Sequence, residues 1–162
     1  MKLAPFLTFT LLFLVLGACS TPREFAAPSS GWNTYQGQLR YSGDGNPVIG
    51  EVIVRTGADH NLEAQFLSGP GFPLMRVRSD ASAALAEGAI ARGRWQGPVE
   101  KSPTRIVGWF VLYDAFDKAA KQSGILQGEG WTAQATHQGG RLKTLDIRVP
   151  ASGERFQFSL GG

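Results

Sequence analysis

Apolar and polar residues alternate in short runs over most of the chain, and this two-residue period is typical of half-buried β-strands. Residues 35–55 contain two such runs, joined by the sequence GDGNP at 43–47, which is a strong turn signal. Valines occupy one face of the second run, and Ile49 and Ile53 occupy the other. Because both faces of this strand are partly apolar, we expect other parts of the protein to cover each of them.

More strands follow at hairpin spacing. The runs that continue the alternation are 60–67, 72–78, 131–137, 141–149 and 154–160. Two Ala-rich runs, 82–88 and 89–95, lack a clear period. They are predicted to be strands because Gly88, Gly93 and Gly97 interrupt them too closely for a stable helix.

Residues 102–122 change the pattern to apolar spacings of three and four, which predicts an amphipathic helix. The stripe that this helix would bury consists of Ile106, Trp109, Phe110, Tyr113 and Phe116. Ser102 is a candidate N-cap, Pro103 suits the first helical position, and Gly124 can end the helix. Some nine strands and one or two helices predict a mainly β fold of the α+β class. We expect a curved antiparallel sheet, or half-barrel, whose concave face is covered by the aromatic helix.

The first 18 residues have a different composition from the rest. One basic residue, Lys2, precedes the apolar run FLTFTLLFLVL and then small residues, which is the pattern of a secretory signal peptide. The alternative is an uncleaved anchor, since the run is about as long as a short transmembrane helix. The sequence LGAC at 16–19 resembles the lipobox of bacterial lipoproteins. That resemblance implies cleavage before Cys19, followed by acylation of its thiol and of the new amine.

Cys19 is the one cysteine of the chain, and an unpaired cysteine in an exported protein needs an explanation. Lipidation provides it, and three acyl chains exceed the roughly two signals that stable membrane anchoring requires. Ser20 follows the cysteine, which resembles the default for sorting to the outer membrane in Gram-negative bacteria. We therefore expect a lipid-anchored protein of the cell outer membrane that faces the periplasm.

The remaining chain divides into a tether and one domain. Residues 19–31 are rich in Ser, Pro, Ala and Gly, which is typical of a lipidated tether, and residues 32–162 are enough for a single domain with a sizeable core. The 16 basic and 13 acidic residues are scattered, so no nucleic-acid-binding patch is expected. A weak attraction to anionic head groups remains, and we expect a monomer.

No catalytic constellation is visible in the sequence. His60 and His137 have no neighbours at metal-ligand spacing, and motifs for nucleotide binding or serine hydrolysis are missing. The carboxylate pairs that could act as acid and base are Asp114 with Asp117 and Glu51 with Glu63. Solvent-facing charges explain both pairs more simply. We expect no enzyme activity, no metal and no cofactor.

Several segments together resemble a known family. They are Cys19, GQLRY at 37–41, GEVIV at 50–54, FLSGPGFPLMRV at 66–77, the mid-chain helix, and the late GEGWTAQA and GGRLKTLDIR. In pattern and order they are similar to the LolB-like outer-membrane lipoprotein receptors and the wider lipoprotein-carrier fold. The resemblance implies an eleven-stranded half-barrel, closed by helices over a hydrophobic cavity. Such a cavity accepts lipoprotein acyl chains from a periplasmic carrier, and the receptor delivers them to the outer membrane.

The resemblance also implies functional residues. The side chains that would line the acyl cavity are Val52, Val54, Phe66, Trp109, Phe110, Tyr113, Phe116 and Phe158. Pro70, Gly71 and Phe72 fall where the family has a loop with an exposed apolar side chain that inserts into the membrane, although here that side chain follows the glycine. Burying an exposed Phe in the interface is favourable by about 1.5–3 kcal/mol. The alternative is that Phe72 folds back onto the sheet.

Two functions stay open at this point. The first is a carrier or receptor that holds acyl chains by burial alone and helps insert lipoproteins into the outer membrane. The second is a structural or assembly lipoprotein with a packed interior that contacts another envelope protein. An open cavity would favour the first, and a filled interior would favour the second.

Overall fold

The computed structural model describes residues 23–161, so the predicted signal peptide 1–18 and Cys19 lie outside the described residues. The strands are β1 (Asn33–Ser42), β2 (Val48–Thr56), β3 (Leu62–Leu67), β4 (Pro73–Ser79), β5 (Ala84–Gly88), β6 (Gly93–Gly97), β7 (Gly124–Gly128), β8 (Trp131–Gln138), β9 (Arg141–Val149) and β10 (Glu154–Leu160). Between β6 and β7 lie a short 3-10 turn (Val99–Lys101), a 3-10 helix (Thr104–Val111) and the α-helix α1 (Leu112–Lys121).

The ten strands of residues 23–161 form one open antiparallel sheet in the order β6-β5-β4-β3-β2-β1-β10-β9-β8-β7. The chain runs through β1 to β6 as a meander, crosses the concave face as the helical segment, and returns through β7 to β10. The two meanders are joined where β1 pairs with β10, with Leu39 opposite Phe158 and Tyr41 opposite Phe156. The predicted fold class is confirmed, with ten strands where the pattern suggested about nine.

The core lies between the concave face of the sheet and the helical segment. Strands bury every second side chain, as the period of two requires, so Val52 and Val54 face inward while Glu51 faces out. Met75 and Val77 are buried on the same face, as predicted from their alternation with Arg76 and Arg78. The helical segment contributes the fully buried Ile106, Trp109, Leu112, Ala115, Phe116 and Ala119. Burial of this apolar area is the main favourable term in folding.

The turns of the antiparallel sheet define two ends of the molecule. We call the end with the β2–β3 and β4–β5 turns the base, and the end with the β1–β2 and β3–β4 turns the tip. The helical segment runs from tip to base. Trp109 contacts Tyr41 and Phe156 near the tip, whereas Phe116 contacts Tyr35 and Phe158 near the base.

The predicted helix over 102–122 is confirmed as one continuous helical stretch over residues 104–121, but its first half, residues 104–111, is a 3-10 helix and not an α-helix. Ser102 does not cap it: Pro103 occupies the N-cap position without a side-chain hydrogen bond. The physical reason is tertiary. The backbone N–H of Gly108 donates to the Glu154 carboxylate at 2.7 Å, so this N–H is not part of a regular α-helical ladder.

Three smaller expectations are also wrong. Gly124 does not end the helix, because α1 ends at Lys121, Gln122 is already extended, and Gly124 begins β7. The outer face of β2 is not fully covered, since Ile49 is 60% exposed. Glu63 is not a solvent-facing charge either. It is buried on the convex face, where Arg55 and Arg78 bind its carboxylate at 2.7 and 2.8 Å.

Candidate functional site

The eight residues predicted to line an acyl cavity all lie at the boundary between the sheet and the helical segment. Phe158 is buried, and five others have no accessible surface at all: Val52, Val54, Phe66, Trp109 and Phe116. Phe110 and Tyr113 lie at the edge of the core and are half-buried. The structure therefore brings the predicted set together as one continuous apolar layer.

The aromatic members of this layer pack in two groups. Near the tip, the Trp109 ring lies 5.2 Å from Tyr41, 5.1 Å from Phe156 and 6.0 Å from Phe66, measured between ring centroids. Tilted and edge-to-face pairs at these distances are the favourable arrangements for aromatic rings. The tip half of the interior is thus filled by side chains around Trp109.

Near the base, Phe116 lies 4.7 Å from Tyr35 and 5.0 Å from Phe158, again between ring centroids. The two half-buried members extend the layer sideways, because Phe110 packs on Trp95 of β6 and Tyr113 packs on His60 of the β2–β3 turn.

The interior is closed in the described conformation. A side chain that borders a void large enough for water would have accessible surface, and five of the eight residues have none. An acyl chain could therefore reach these five side chains only after the helical segment moves away from the sheet.

A buried carboxylate joins the helical segment to the sheet at the tip. Glu154 Oε2 accepts hydrogen bonds from the Gly108 backbone N–H at 2.7 Å and from the Ser152 hydroxyl at 2.8 Å, and Oε1 accepts from the Tyr41 hydroxyl at 3.0 Å. We call Glu154 with Gly108, Tyr41 and Ser152 the latch. A Cβ at Gly108 would lie 2.5 Å from Glu154 Oε2, so only glycine allows this approach.

The latch shifts the acid–base behaviour of its members. Burial raises the pKa of Glu154, and the three hydrogen bonds offset part of that effect. Burial, followed by the nearby Glu154 charge, also raises the pKa of Tyr41 far above its usual value, which keeps this hydroxyl protonated as a donor.

Unsatisfied polar atoms concentrate in the same segment. Among the described residues, three buried atoms between positions 102 and 109 have no hydrogen-bond partner of acceptable geometry: Ser102 Oγ, Arg105 Nε and Trp109 Nε1. Such an atom costs about 1–3 kcal/mol relative to a solvated one. Closure of the 3-10 helix on the sheet is thus less favourable than its apolar contacts alone suggest.

A cleft opens beside the base group of rings. It has a volume of about 350 Å³ and lies between the end of α1, the start of β1 and the β8–β9 turn. Its apolar lining includes Tyr35, Leu142 and Leu160, and Tyr35 is the ring that contacts Phe116. The cleft therefore ends at the apolar layer.

The loop that was predicted to contact membranes lies at the tip. Gly71 has φ +84°, a left-handed conformation that suits glycine, and the turn is closed by the Gly71 N–H donating to Ser68 O at 2.7 Å. Phe72 is 69% exposed, so the alternative in which it folds back onto the sheet is wrong. Ile49 lies at the same end, and we call the two side chains the Phe72 corner.

The chain before β1 contacts the base. The Arg23 guanidinium donates from Nη2 to Asp80 Oδ2 at 2.7 Å and to Ser82 Oγ at 2.8 Å, while Nε reaches Asp80 at 3.2 Å. Burial would raise the pKa of Asp80, but hydrogen bonds from Ser82, Arg23 and Ala83 outweigh it and lower the pKa. Part of the predicted tether 19–31 is therefore bound to the domain.

The remaining titratable candidates do not assemble into a reaction centre. Asp117 pairs with Lys121 on the exposed helix face, and Asp114 lies 3.9 Å from His60, as a solvated face predicts. Glu63 lies opposite Arg55 in the sheet. Glu51 lies four positions before Arg55 on β2, which is about 13 Å along the strand, so Glu51 and Glu63 do not form a pair.

One hydroxyl–imidazole contact lies outside the predicted set. The Ser123 hydroxyl and His137 Nδ1 are 2.6 Å apart, and no carboxylate of residues 23–161 hydrogen-bonds to that imidazole. The same residues contain no group of three or more His, Cys, Asp or Glu side chains that could hold a metal.

Sequence analysis missed two groups of interacting side chains, the latch and the Arg23 contact. A signal for Glu154 was present, because it lies in phase with Phe156 and Phe158 on the buried face of β10. Arg23 offered no local signal, because its partner Asp80 is 57 positions away.

Comparison with protein-family models and with curated proteins finds no match for this chain. The resemblance to the lipoprotein carriers therefore stays a prediction. Within residues 23–161, no helix has the length and apolar character needed to cross a bilayer.

Proposed function

We propose that this chain is an outer-membrane lipoprotein, anchored through Cys19, that binds acyl chains of other lipoproteins between its curved sheet and its helical segment. It would receive them from a periplasmic carrier and help insert them into the outer membrane. No covalent chemistry is required, because apolar chains are held by burial.

The observation that carries the proposal is the apolar layer under the helical segment. An open sheet presents one concave apolar face, and a single segment covers it, so one movement of that segment would expose a continuous apolar surface.

Two features support movement of the segment. Its first half is a 3-10 helix with two unsatisfied buried polar atoms, Arg105 Nε and Trp109 Nε1, and Ser102 Oγ just before it is a third; opening would let water satisfy them. The base cleft supplies a starting point, because its volume of about 350 Å³ falls within the range of small-molecule sites and it borders the Tyr35–Phe116 pair.

A specific observation also favours the second candidate. The interior around Trp109 is filled in the described conformation, which is what a structural or assembly lipoprotein with a packed core would have. In that case the Phe72 corner would contact another envelope protein and the helical segment would not open.

The first test is lipid binding by the mature chain with Cys19→Ser. Native mass spectrometry detects co-purified lipid, and displacement of a fluorescent fatty-acid probe measures saturable binding. The proposal predicts both. If neither is observed, acyl binding is wrong and the packed-interior candidate replaces it.

A second arm tests delivery to membranes. Phe72→Glu should leave probe binding unchanged and strongly reduce transfer of a bound acylated protein to vesicles, because a charge at the tip opposes insertion. Ile125→Glu is the matched control, since Ile125 is 76% exposed but lies on β7 near the base. Equal transfer by the two variants would contradict a role for Phe72.

A further inference from the structure

The contact between Arg23 and the β4–β5 turn is well organised for a surface contact. Asp80 is held in place before Arg23 binds, because its Oδ1 accepts from the backbone N–H groups of Ser82 at 2.8 Å and Ala83 at 3.0 Å. Its Oδ2 is left free for the guanidinium. We call Arg23 with Asp80 and Ser82 the clasp.

The segment after the clasp stays on the base. Trp32 covers Gly57 of the β2–β3 turn so closely that a Cβ at Gly57 would lie 2.5 Å from the indole ring. The Trp32 backbone N–H donates to Ser29 O at 3.1 Å. Residues 23–32 thus begin at the β4–β5 turn and end at the β2–β3 turn, both at the base.

Chain length limits how the domain can sit on its anchor. Four peptide steps separate Cys19 from Arg23, and they span at most about 14 Å. The Phe72 corner lies beyond the far end of β4, whose six steps from Pro73 to Ser79 cover about 20 Å. With the clasp closed, the reach from Cys19 to Arg23 is thus shorter than β4, so the anchor favours poses in which the base is nearer to the bilayer than the Phe72 corner.

We propose that the clasp sets which end of the domain faces the bilayer. Closed, it keeps the base and its cleft at the membrane and turns the Phe72 corner away. When the clasp is open, the chain is free from Cys19 to Trp32. These thirteen peptide steps together span up to about 45 Å, which lets the domain invert and place Phe72 in the interface. This inference rests on the proposed anchoring through Cys19.

The clasp suits a reversible role because it is exposed. The Arg23 side chain is 47% exposed and that of Asp80 is 20% exposed, so salt screens the pair and water competes for it. The apolar contact of Trp32 does not share this sensitivity. Opening therefore releases the clasp and leaves the domain intact.

The test uses the full lipidated chain in vesicles of phosphatidylethanolamine and phosphatidylglycerol that contain a doxyl-labelled lipid. A bimane label is placed either at the tip through Gly69→Cys, where an added Cβ meets nothing within 4 Å, or at the base through Ala58→Cys. The acylated Cys19 thiol is a thioether and does not react with the label. Quenching then reports which end lies near the lipid.

We expect the base label to be quenched more than the tip label in the parent chain. Arg23→Ala should raise the ratio of tip to base quenching about two- to fivefold, the population change typical of losing an exposed ion pair. High salt should produce the same change in the parent chain and none in Arg23→Ala. Arg94→Ala is the matched control, because Arg94 is exposed and makes no ion pair among residues 23–161.

Three results would overturn the proposal. A ratio unchanged by Arg23→Ala shows that the clasp does not set orientation, and stronger tip than base quenching in the parent chain shows that the closed pose is wrong. Mass spectrometry of the same sample checks the anchor. A chain without acyl mass at Cys19 overturns the proposed anchoring and this inference together, whereas an acylated chain with an unchanged ratio overturns only the inference.

Discussion

The environment of Glu154 in the fold differs from the one that its neighbours in the sequence suggest. The run ERFQFSL suggests a polar residue at the start of a strand, yet the Glu154 carboxylate is buried and surrounded by three donors. Those donors come from positions 2, 46 and 113 residues away in the sequence. The alternation could place Glu154 on the inner face, but only the assembled fold brings the Gly108 N–H to it.

Substitution of Glu154 should separate its hydrogen bonds from its charge. Glu154→Ala leaves the Gly108 N–H without this acceptor and the Tyr41 hydroxyl with only the 3.5 Å contact to Arg105 O, and we expect a loss of about 2–3 kcal/mol in the free energy of unfolding. Glu154→Gln keeps an oxygen for Gly108 and Ser152, and the Tyr41 hydroxyl can rotate to accept, so the expected loss is below about 1 kcal/mol. Urea unfolding of the Cys19→Ser chain measures both. Equal losses would contradict the latch.

The raised pKa of Glu154 predicts a pH dependence with a definite sign. Because the folded carboxyl has a higher pKa than the unfolded one, the folded state binds more protons, and stability falls as pH rises. This loss of stability is absent below pH 4.5, the ordinary pKa of a Glu carboxyl, and is complete once the pH exceeds the raised pKa of Glu154. The free energy of unfolding of the parent chain should therefore decrease relative to Glu154→Gln over that window. A difference that does not change with pH would show that Glu154 ionises normally.

At the scale of elements, the strands and the helical segment were predictable, and the 3-10 geometry of the first half of that segment was not. Alternation identified the inner faces of β2 and β4 because each strand buries one face against the same core. The spacing of three and four correctly placed Trp109 and Phe116 inward, since 3-10 and α-helices differ little over one or two turns. The 3-10 geometry of the first half accompanies a contact between Gly108 and Glu154, 46 residues apart, which no local pattern contains.

Gly108 offers a direct test of this explanation. Gly108→Ala should favour an isolated helix by about 1 kcal/mol. In the protein its Cβ would lie 2.5 Å from Glu154 Oε2 and 2.8 Å from the Phe156 ring, so we expect a net loss of about 1–3 kcal/mol in the free energy of unfolding. Gly45→Ala is the matched control, because an added Cβ there meets nothing within 4 Å. A Gly108→Ala chain that is more stable than the parent would show that the segment has room to move in its closed form.

At the scale of the whole molecule, the sheet and the helical segment packed on it explain why the fold was predictable. They also explain why the site was only partly predictable. Hairpin spacing fixes the neighbours within β1–β6 and within β7–β10, whereas the β1–β10 pairing that joins them spans most of the chain. The apolar layer follows from the same alternation. Whether that layer encloses a void depends on side-chain volumes and packing, which the pattern does not contain.

The central claim is that an acyl chain enters beside Trp109, and quenching by a brominated fatty acid tests it most directly. Bromine quenches tryptophan only at short range, and Trp109 lies in the middle of the apolar layer. We predict saturable quenching in the Cys19→Ser chain, a large reduction in Trp109→Phe, which keeps Trp95 beside Phe110, and full retention in the matched control Trp32→Phe, whose ring lies at the base. Absence of quenching, or equal quenching in Trp109→Phe and the parent, would contradict the claim and favour a permanently packed interior.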